Sequence, residues 1–276
     1  MINILRTEFF RLKKSKLFWI FFGICCGLPL LSALLNLAMA GIIESITELP
    51  EMSDLAELLR SLNVTTTTLS ELSSLMSDAA LFSLICSSVF LSKEFTDGTM
   101  RNVLLANKSR KEMFFSYLIV AIVIGVSYLT AFFAATMLFV ATLFGFGDLS
   151  AGAAVSACFC SFALGIFATI FVQTCVTMFL FAVRKQWATI LFPILICMFA
   201  PTIFTLIVQI ISNILIVNGE IISNTTISWI PFANVMIYDA GKIDGGLIGK
   251  IALYYLLFSG IFVVSGYFTF EKADLK

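Results

Sequence analysis

The stretch that decides the fold is SKEFTDGTMRNVLLANKSRKE, from Ser92 to Glu112. From Lys93 onward it holds five basic and three acidic residues, whereas the sequence before it and the run that begins at Met113 are apolar. A loop that only reversed the chain between two apolar segments would be shorter. The pattern therefore predicts a polar segment that contacts something outside the apolar part of the protein.

The composition around this stretch is that of a membrane protein. Of the 276 residues, 60% are hydrophobic and 12% are charged, and the mean hydropathy is +1.03. A soluble domain is typically about 45–50% apolar and about 25% charged. Apolar runs of roughly 20 residues, the length that crosses a bilayer as a helix, recur along the chain. We expect an all-α integral membrane protein in which residues 1–276 form a single transmembrane domain.

The composition also argues against several kinds of chemistry. The chain has no histidine, and its seven cysteines lie in apolar segments without a CxxC motif. The nearest match to a phosphate-binding loop, DGGLIGKI, has Asp244 in place of the first glycine and Ile251 in place of the magnesium-binding hydroxyl. We therefore expect no enzyme activity, no metal or other cofactor bound by this chain, and no nucleic-acid partner.

The apolar runs predict six transmembrane helices. They cover residues 17–43, 72–91, 113–144, 151–183, 188–217 and 247–270. In lipid a spanning segment must satisfy its own backbone hydrogen bonds, which makes these runs helical. Only the sequence GFGDLS separates the third span from the fourth, so we expect these two to form a tight antiparallel hairpin.

Positive charge is unevenly distributed around these spans. The N-terminal residues, the 93–112 segment, the Arg184-Lys185 turn and the C-terminal tail hold 14 of the 17 Lys and Arg residues. Basic residues accumulate on the cytoplasmic side of membrane proteins. The distribution therefore predicts a multi-pass plasma-membrane protein with both termini and the 93–112 segment in the cytoplasm.

Residues 1–16 predict an amphipathic helix in the inner membrane interface. Its apolar stripe consists of Ile2, Leu5, Phe9 and Leu12. Basic side chains occupy the other faces of the same helix. A helix with one apolar and one basic face lies along a membrane surface.

Residues 93–112 predict a short helix lying across the inner membrane face. Thr96 or Asp97 is a suitable N-cap for a helix whose first turn follows Gly98. Apolar residues then recur at the helical spacing i, i+3 and i+4, at Met100, Val103 and Leu104. Glu94 stands at the membrane boundary, where a carboxylate is costly unless paired, and its expected partner is Arg101 or an N-terminal lysine.

The same segment resembles a known family. The run Glu94-Phe95-Thr96-Asp97-Gly98-Thr99-Met100-Arg101 is similar to the E-F-x-x-G-T-x-R segment of ABC-2 type exporter permeases, and it has the same position between the second and third of six spans. Downstream, Asn107-Lys108-Ser109-Arg110 resembles the Pro-x-Ser-Arg of that family, with Asn107 where proline is usual.

The resemblance implies that membrane transport and ATP hydrolysis are carried out by different subunits. It assigns 93–112 as a cytoplasmic coupling helix that inserts into a soluble ATP-binding cassette subunit, present in two copies. The residues it assigns to coupling are Glu94, Phe95, Gly98, Thr99 and Arg101. It also implies a homodimer or a heterodimer with a second permease, an exporter function, and ATP and Mg held by the partner subunit.

Some polar residues at membrane depth are candidates for lining the transport pathway. They are Ser83, Ser87, Asp78, Gln173 and Gln209. Polar groups within the membrane usually face protein or a cavity, and hydrogen bonding between helices is the alternative role. The Phe-rich spans suit a hydrophobic or amphipathic cargo such as a peptide.

Two other functions fit the sequence. One is a non-transporting immunity or sensor protein that binds a toxic peptide at an acidic outer face. The other is a stand-alone secondary transporter, which the scarcity of charges within the spans disfavours. Low arginine usage together with abundant Ile, Phe, Ser and Asn favours a bacterial origin.

Overall fold

The computed structural model describes residues 2–47, 68–96, 109–146, 150–199, 202–203, 206–207 and 245–272, and these are helical apart from short turns. The helices are α1 (Ile2–Lys14), α2 (Lys16–Thr47), α3 (Thr68–Thr96), α4 (Arg110–Ala135), α5 (Ala141–Phe144), α6 (Ala151–Val183), α7 (Gln186–Ile194) and α8 (Gly245–Glu271). π-Helical turns follow α4 at Thr136–Val140 and α7 at Leu195–Phe199.

Five helical stretches in the described residues are long and apolar enough to cross a membrane. They are Lys16–Met39, Asp78–Thr96, Arg110–Phe144, Ala151–Val183 and Gly245–Glu271. This agrees with the predicted all-α integral membrane protein. The predicted span 188–217 is described without interruption only as far as Phe199, where the apolar stretch Gln186–Cys197 is shorter than the others. The count of six spans therefore stays a prediction.

The turns between the spans explain where the helices begin and end. Gly145, with φ of 64°, ends α5 and allows the sharp reversal before α6. At the other end of α6, Arg184 adopts a left-handed conformation with φ of 57°, and its N–H donates to the Leu180 carbonyl oxygen. A two-residue connection, Arg184 and Lys185, then leads into α7. Gly145 and Arg184 thus each end a helix abruptly.

Helix α6 is at the centre of the bundle and packs against α3, α4, α7 and α8. Glycines permit the close approach of α4 to α6. A Cβ atom added to Gly125 would lie 2.3 Å from Thr169 Cγ2, and one added to Gly165 would lie 2.7 Å from Leu129 Cδ1. Small residues at such crossings let membrane helices pack closely. Helix α6 and its contacts with α3, α4 and α8 therefore form the core of the bundle.

The outer helices α2 and α8 bury much less of their surface. In the most apolar window of each helix, 22% is buried, against 61% in α3. Apolar side chains such as Leu31 and Leu257 are more than half exposed. Around Gly23 and Gly27 of α2, no described atom lies within 4 Å of the position that a Cβ would take. These two helices present their apolar surfaces to the surroundings of the bundle.

Candidate functional site

The candidate coupling residue Glu94 lies in the last turn of α3, and its carboxylate is buried. Its side chain is only 3% exposed and forms an ion pair with Arg11 of α1. The same Arg11 Nη1 donates hydrogen bonds of 3.1 Å to both carboxylate oxygens of Glu8. We call Glu8, Arg11 and Glu94 the α1–α3 ion-pair cluster. It fixes the end of α3 to the N-terminal helix.

The amphipathic pattern of α1 explains why Glu8 and Arg11 reach this position. Ile4, Glu8 and Leu12 are buried and lie four residues apart, so they share the face of α1 that packs on the bundle. Arg11 follows Glu8 by three residues, which brings the two side chains together on the helix surface. The Arg11 guanidinium also lies 5.6 Å from the centre of the Phe90 ring of α3, close enough for a cation–π contact.

Phe95, the second described coupling residue, connects the end of α3 to the core. Its ring meets the Phe181 ring of α6 edge to face, with the ring centres 5.8 Å apart. Phe181 also packs on Phe270 of α8 at 4.4 Å and on Phe114 of α4 at 5.1 Å. The end of α3 is therefore in contact with an aromatic cluster that joins three further helices.

The start of α4, on the far side of residues 97–108, is held by a second arginine. Ser109 caps α4, because its hydroxyl oxygen accepts a hydrogen bond of 3.2 Å from the Glu112 N–H. Arg110 Nη1 then donates to the carbonyl oxygens of Phe270 and Glu271, at 3.2 and 2.6 Å. The last carbonyls of a helix have no partner within it, and a cation there also meets the negative end of its dipole. We call this the α4–α8 anchor.

The remaining predicted coupling residues lie outside the described residues. They are Gly98, Thr99 and Arg101. The predicted 93–112 segment is thus described only at its two ends: residues 93–96 continue α3 and residues 110–112 begin α4. The hydroxyl of Thr96 donates to the Ser92 carbonyl oxygen within α3 at 3.3 Å.

Two of the candidate pathway residues meet within the bundle. Gln173 Nε2 of α6 donates a hydrogen bond of 2.9 Å to Ser83 Oγ of α3, and both residues are fully buried. Ser87 is also buried and donates to the Leu84 carbonyl oxygen of its own helix. Among the described residues, Gln173 Oε1 and Ser88 Oγ have no hydrogen-bond partner. We call Ser83, Gln173 and Ser88 the mid-bundle polar group.

Asp78 lies apart from that group, beside a cavity of about 390 Å³ between α2, α3 and α4. Glu71 and Ser32 line the same cavity. Burial raises the pKa of the Glu71 carboxyl, a hydrogen bond with the Ser32 hydroxyl lowers it, and the Asp78 carboxylate raises it. Gln209, the last candidate, lies outside the described residues.

Sequence reasoning missed Glu8, Arg11 and Arg110 as site residues. Arg11 of the N-terminal helix pairs with Glu94, whereas the predicted partner was an N-terminal lysine or Arg101, which lies outside the described residues. The detectable signal was Glu8, an acidic residue four positions from both Ile4 and Leu12 and so on the same helix face. In the described part of the chain, no three His, Cys, Asp or Glu residues are grouped so that they could hold a metal ion.

The fold and site define a class of protein, a multi-pass helical membrane protein with buried polar contacts between its helices. A sequence family described as ABC-2 family transporter protein matches residues 4–203, from α1 to beyond α7. The chain belongs to the ABC-2 transporter family. No curated protein and no solved structure gave a significant match.

The family confirms the resemblance recognised around Glu94. It makes the chain a permease-type membrane component of an ABC transporter, a component that associates with an ATP-binding subunit and is generally not catalytic itself. The family match ends before α8. The contact of Arg110 with the end of α8 is therefore a feature of this chain's structure that the family match does not include.

Proposed function

We propose that the chain is the pathway-forming subunit of an ABC exporter, paired with a second copy of itself or with a related permease. Two copies of a soluble ATP-binding subunit drive it, and they hold the ATP and Mg. Both termini and residues 93–112 face the cytoplasm. The cargo is a hydrophobic or amphipathic compound, such as a peptide, that leaves the cell. The charge distribution and the family support this assignment.

The observation that carries the proposal is the anchoring of both ends of the segment that contains the family motif. The α1–α3 ion-pair cluster holds the end that precedes residues 97–108, and the α4–α8 anchor holds the end that follows them. A segment that only connected two spans would not need an arginine contact to a different helix at each end.

This arrangement suggests how force enters the bundle. A displacement of residues 97–108 by the ATP-binding subunit acts on α3 and α1 through Glu94, and on α4 and α8 through Arg110. The aromatic cluster around Phe181 joins α3 to α6, so the displacement also reaches the central helix. Interfaces of packed helices shift between discrete arrangements rather than deform continuously.

Each coupling residue has a role in this proposal. Glu94 and Phe95 fasten the segment to the bundle by charge and by ring packing. Gly98 provides the turn, and Thr99 and Arg101 provide a cap and an ion pair for the helix that enters the ATP-binding subunit.

The candidate pathway residues have a second role in the proposal. When α3 moves relative to α6, the contact between Ser83 and Gln173 opens and exposes hydroxyl and amide groups to the cargo. Ser87, Asp78 and Gln209 contribute further polar groups along the same pathway. In the described part of the chain, Gln173 Oε1 has no hydrogen-bond partner. This supports the role, because such a buried acceptor gains a hydrogen bond when the bundle opens.

The test begins with unbiased co-purification of the full chain from its native membrane, followed by reconstitution with the ATP-binding subunit that accompanies it. We expect ATP hydrolysis that depends on the chain. Arg101→Glu and Gly98→Pro should leave membrane insertion intact and separate ATP hydrolysis from cargo transport. Lys185→Glu, in the α6–α7 turn, is the control with the same charge reversal and should transport normally.

Two results would overturn the proposal. One is that the chain purifies without any nucleotide-driven subunit. The other is that Arg101→Glu and Gly98→Pro transport cargo as well as the native chain does. Binding of a peptide at the outer face without ATP-dependent movement would favour the immunity or sensor function instead.

A further inference from the structure

A cleft of about 290 Å³ lies between α1 and α3 beside the ion-pair cluster. Its lining consists of Phe10, Arg11, Lys14, Ser15, Phe90 and Lys93. We propose that this cleft binds the phosphate-bearing headgroup of an anionic phospholipid from the inner leaflet. The inference rests on the proposed orientation, in which α1 lies on the cytoplasmic side.

The charges of the cleft favour an anionic ligand. Three of its six lining residues are cations, and none is acidic. Arg11 is already engaged by Glu8 and Glu94, so the positive charge available to a ligand comes from Lys14 and Lys93. One of these lysines belongs to α1 and the other to α3, and both are exposed. A ligand that contacts both therefore bridges the two helices.

The ring and hydroxyl groups of the cleft complete a headgroup site. The Lys14 ammonium lies 4.4 Å from the centre of the Phe10 ring, which keeps the lysine close to an apolar surface. Ser15 provides a hydroxyl between α1 and α2, at the single non-helical residue that separates them. Lysine ammonium and serine hydroxyl groups both donate hydrogen bonds to phosphate oxygens.

The surroundings of the cleft distinguish a lipid from a soluble phosphate. Phe10 is 60% exposed, and Trp19 and Ile20, near the start of α2, are 54% and 61% exposed. The Trp19 indole N–H donates a hydrogen bond of 2.9 Å to the Lys13 carbonyl oxygen, which places the ring at the junction of α1 and α2. Tryptophan is enriched at membrane interfaces. An acyl chain attached to the headgroup would lie along this exposed apolar surface of α2.

The position of the cleft means that a bound lipid would affect how α1 is held against α3. Basic pockets beside membrane helices on the cytoplasmic side bind anionic headgroups. A headgroup that bridges Lys14 and Lys93 would hold α1 against α3, where the contact of Arg11 with Glu94 also holds them. Anionic lipid would therefore stabilise the same junction that the proposed coupling motion uses.

The experiment measures lipid binding to the full chain without any partner subunit. The purified, delipidated protein is titrated in detergent with phosphatidylglycerol or phosphatidylcholine, and bound lipid is counted by native mass spectrometry. The double variant Lys14→Gln/Lys93→Gln should bind phosphatidylglycerol roughly 10- to 30-fold more weakly than the native chain. The control variant Lys185→Gln/Lys272→Gln removes the same charge elsewhere on the same predicted side and should bind normally.

Each outcome decides the inference. Selective binding of phosphatidylglycerol that only the first variant loses supports it. Equal binding of both lipids, or equal loss in both variants, overturns it. Displacement of phosphatidylglycerol by millimolar inorganic phosphate overturns the lipid as the ligand and identifies a soluble phosphate site. Because no ATP-binding subunit takes part, a failure here leaves the transporter assignment standing, and a failure of that assignment leaves the binding result unchanged.

Discussion

The end of α3 and the middle of α3 hold polar groups inside an apolar bundle in different ways. At the end, the charged Glu94 pairs with Arg11 on the separate N-terminal helix. In the middle, the neutral Ser83 meets Gln173 of α6. The charged contact lasts only while α1 stays docked, whereas the neutral contact is enclosed between two spans. Helix α3 is therefore held in its middle by a contact between two spans and at its end by a contact with a separate helix.

The largest effect is expected from breaking the charged contact. Arg11→Gln removes the arginine that pairs with two buried carboxylates, Glu8 and Glu94, and removing one partner of a buried pair costs about 3 kcal/mol. The Arg11 side chain is 37% exposed, so water screens the pair in part. The loss of stability should therefore lie towards the low end of the range for buried pairs. The free energy of unfolding in detergent should fall by that amount, and ATP-driven transport should fall with it.

The control for this prediction is Arg6→Gln, an exposed arginine of the same helix. It should change the free energy of unfolding by less than about 0.5 kcal/mol. The double variant Arg11→Gln/Glu94→Gln should recover part of the loss, because the buried charge of Glu94 is then gone and only Glu8 still lacks the arginine. If the two single losses simply add in the double variant, the pair is not coupled.

The next effect tests the close packing in the middle of the bundle. Gly125→Ala places a methyl group 2.3 Å from Thr169 Cγ2 and 3.1 Å from Gln173 Nε2, so either these side chains shift or α4 and α6 move apart. Overpacking of this kind costs about 1–3 kcal/mol. The matched change is Gly23→Ala, where no described atom lies within 4 Å of the new methyl group. A thermal unfolding midpoint for Gly125→Ala at or above that of Gly23→Ala would contradict the packing.

A smaller loss of stability is expected in the mid-bundle polar group, and it should differ between its two serines. Ser83→Ala removes the acceptor of the Gln173 amide and should cost about 0.6 to 1.7 kcal/mol, as hydrogen bonds between membrane helices do. Ser88→Ala removes a hydroxyl that has no partner among the described residues and should be neutral or stabilising. Chemical unfolding of both variants in detergent gives the comparison. Equal losses would mean that Ser88 also makes a needed contact.

The smallest effect concerns pH and the start of α3. Burial raises the pKa of Glu71 above the ordinary value of 4.5, so the folded protein binds this proton more tightly than the unfolded chain. Stability then falls as the pH rises from 4.5 through the raised pKa. Glu71→Gln should be slightly more stable than the native protein at pH 7 and equal to it at pH 4.

The measurement for Glu71 is the thermal unfolding midpoint at several pH values in detergent. The exposed Glu271 supplies the control, because Glu271→Gln should leave the pH profile unchanged. The quantity compared is the difference in unfolding midpoint between the native protein and Glu71→Gln. If this difference is the same at pH 4 and pH 7, burial of Glu71 has no energetic consequence.

Much of the helical framework was predictable because lipid leaves the chain few choices. The fourth span, 151–183, was predicted at the bounds that the structure has, and the Arg184-Lys185 turn follows it directly. The end of α3 was less predictable: Lys93, Glu94 and Phe95 continue the helix beyond the apolar run that ended at Leu91. Hydropathy marks where a helix leaves the lipid, not where its backbone hydrogen bonds stop.

The candidate site was predictable only in part. The motif identified Glu94 and Phe95, and the need of a buried carboxylate for a cation was foreseen. Which cation it would be depended on how α1 docks, because Arg11 and Glu94 are 83 positions apart in the sequence. The contact of Arg110 with the end of α8 had no sequence signal, since a helix end offers its carbonyl oxygens whatever its side chains are.

The sequence by itself determined that this protein crosses a membrane several times as helices, that its basic residues are concentrated in a few polar segments, and which family it belongs to. These properties depend on the local composition, length and charge of each segment, which determine directly how the segment interacts with the bilayer. The tertiary structure decided that one arginine joins α1 to α3, that another joins α4 to α8, and that Ser83 meets Gln173. These contacts depend on which helices are neighbours, and shape and close packing select neighbours only after the chain has folded.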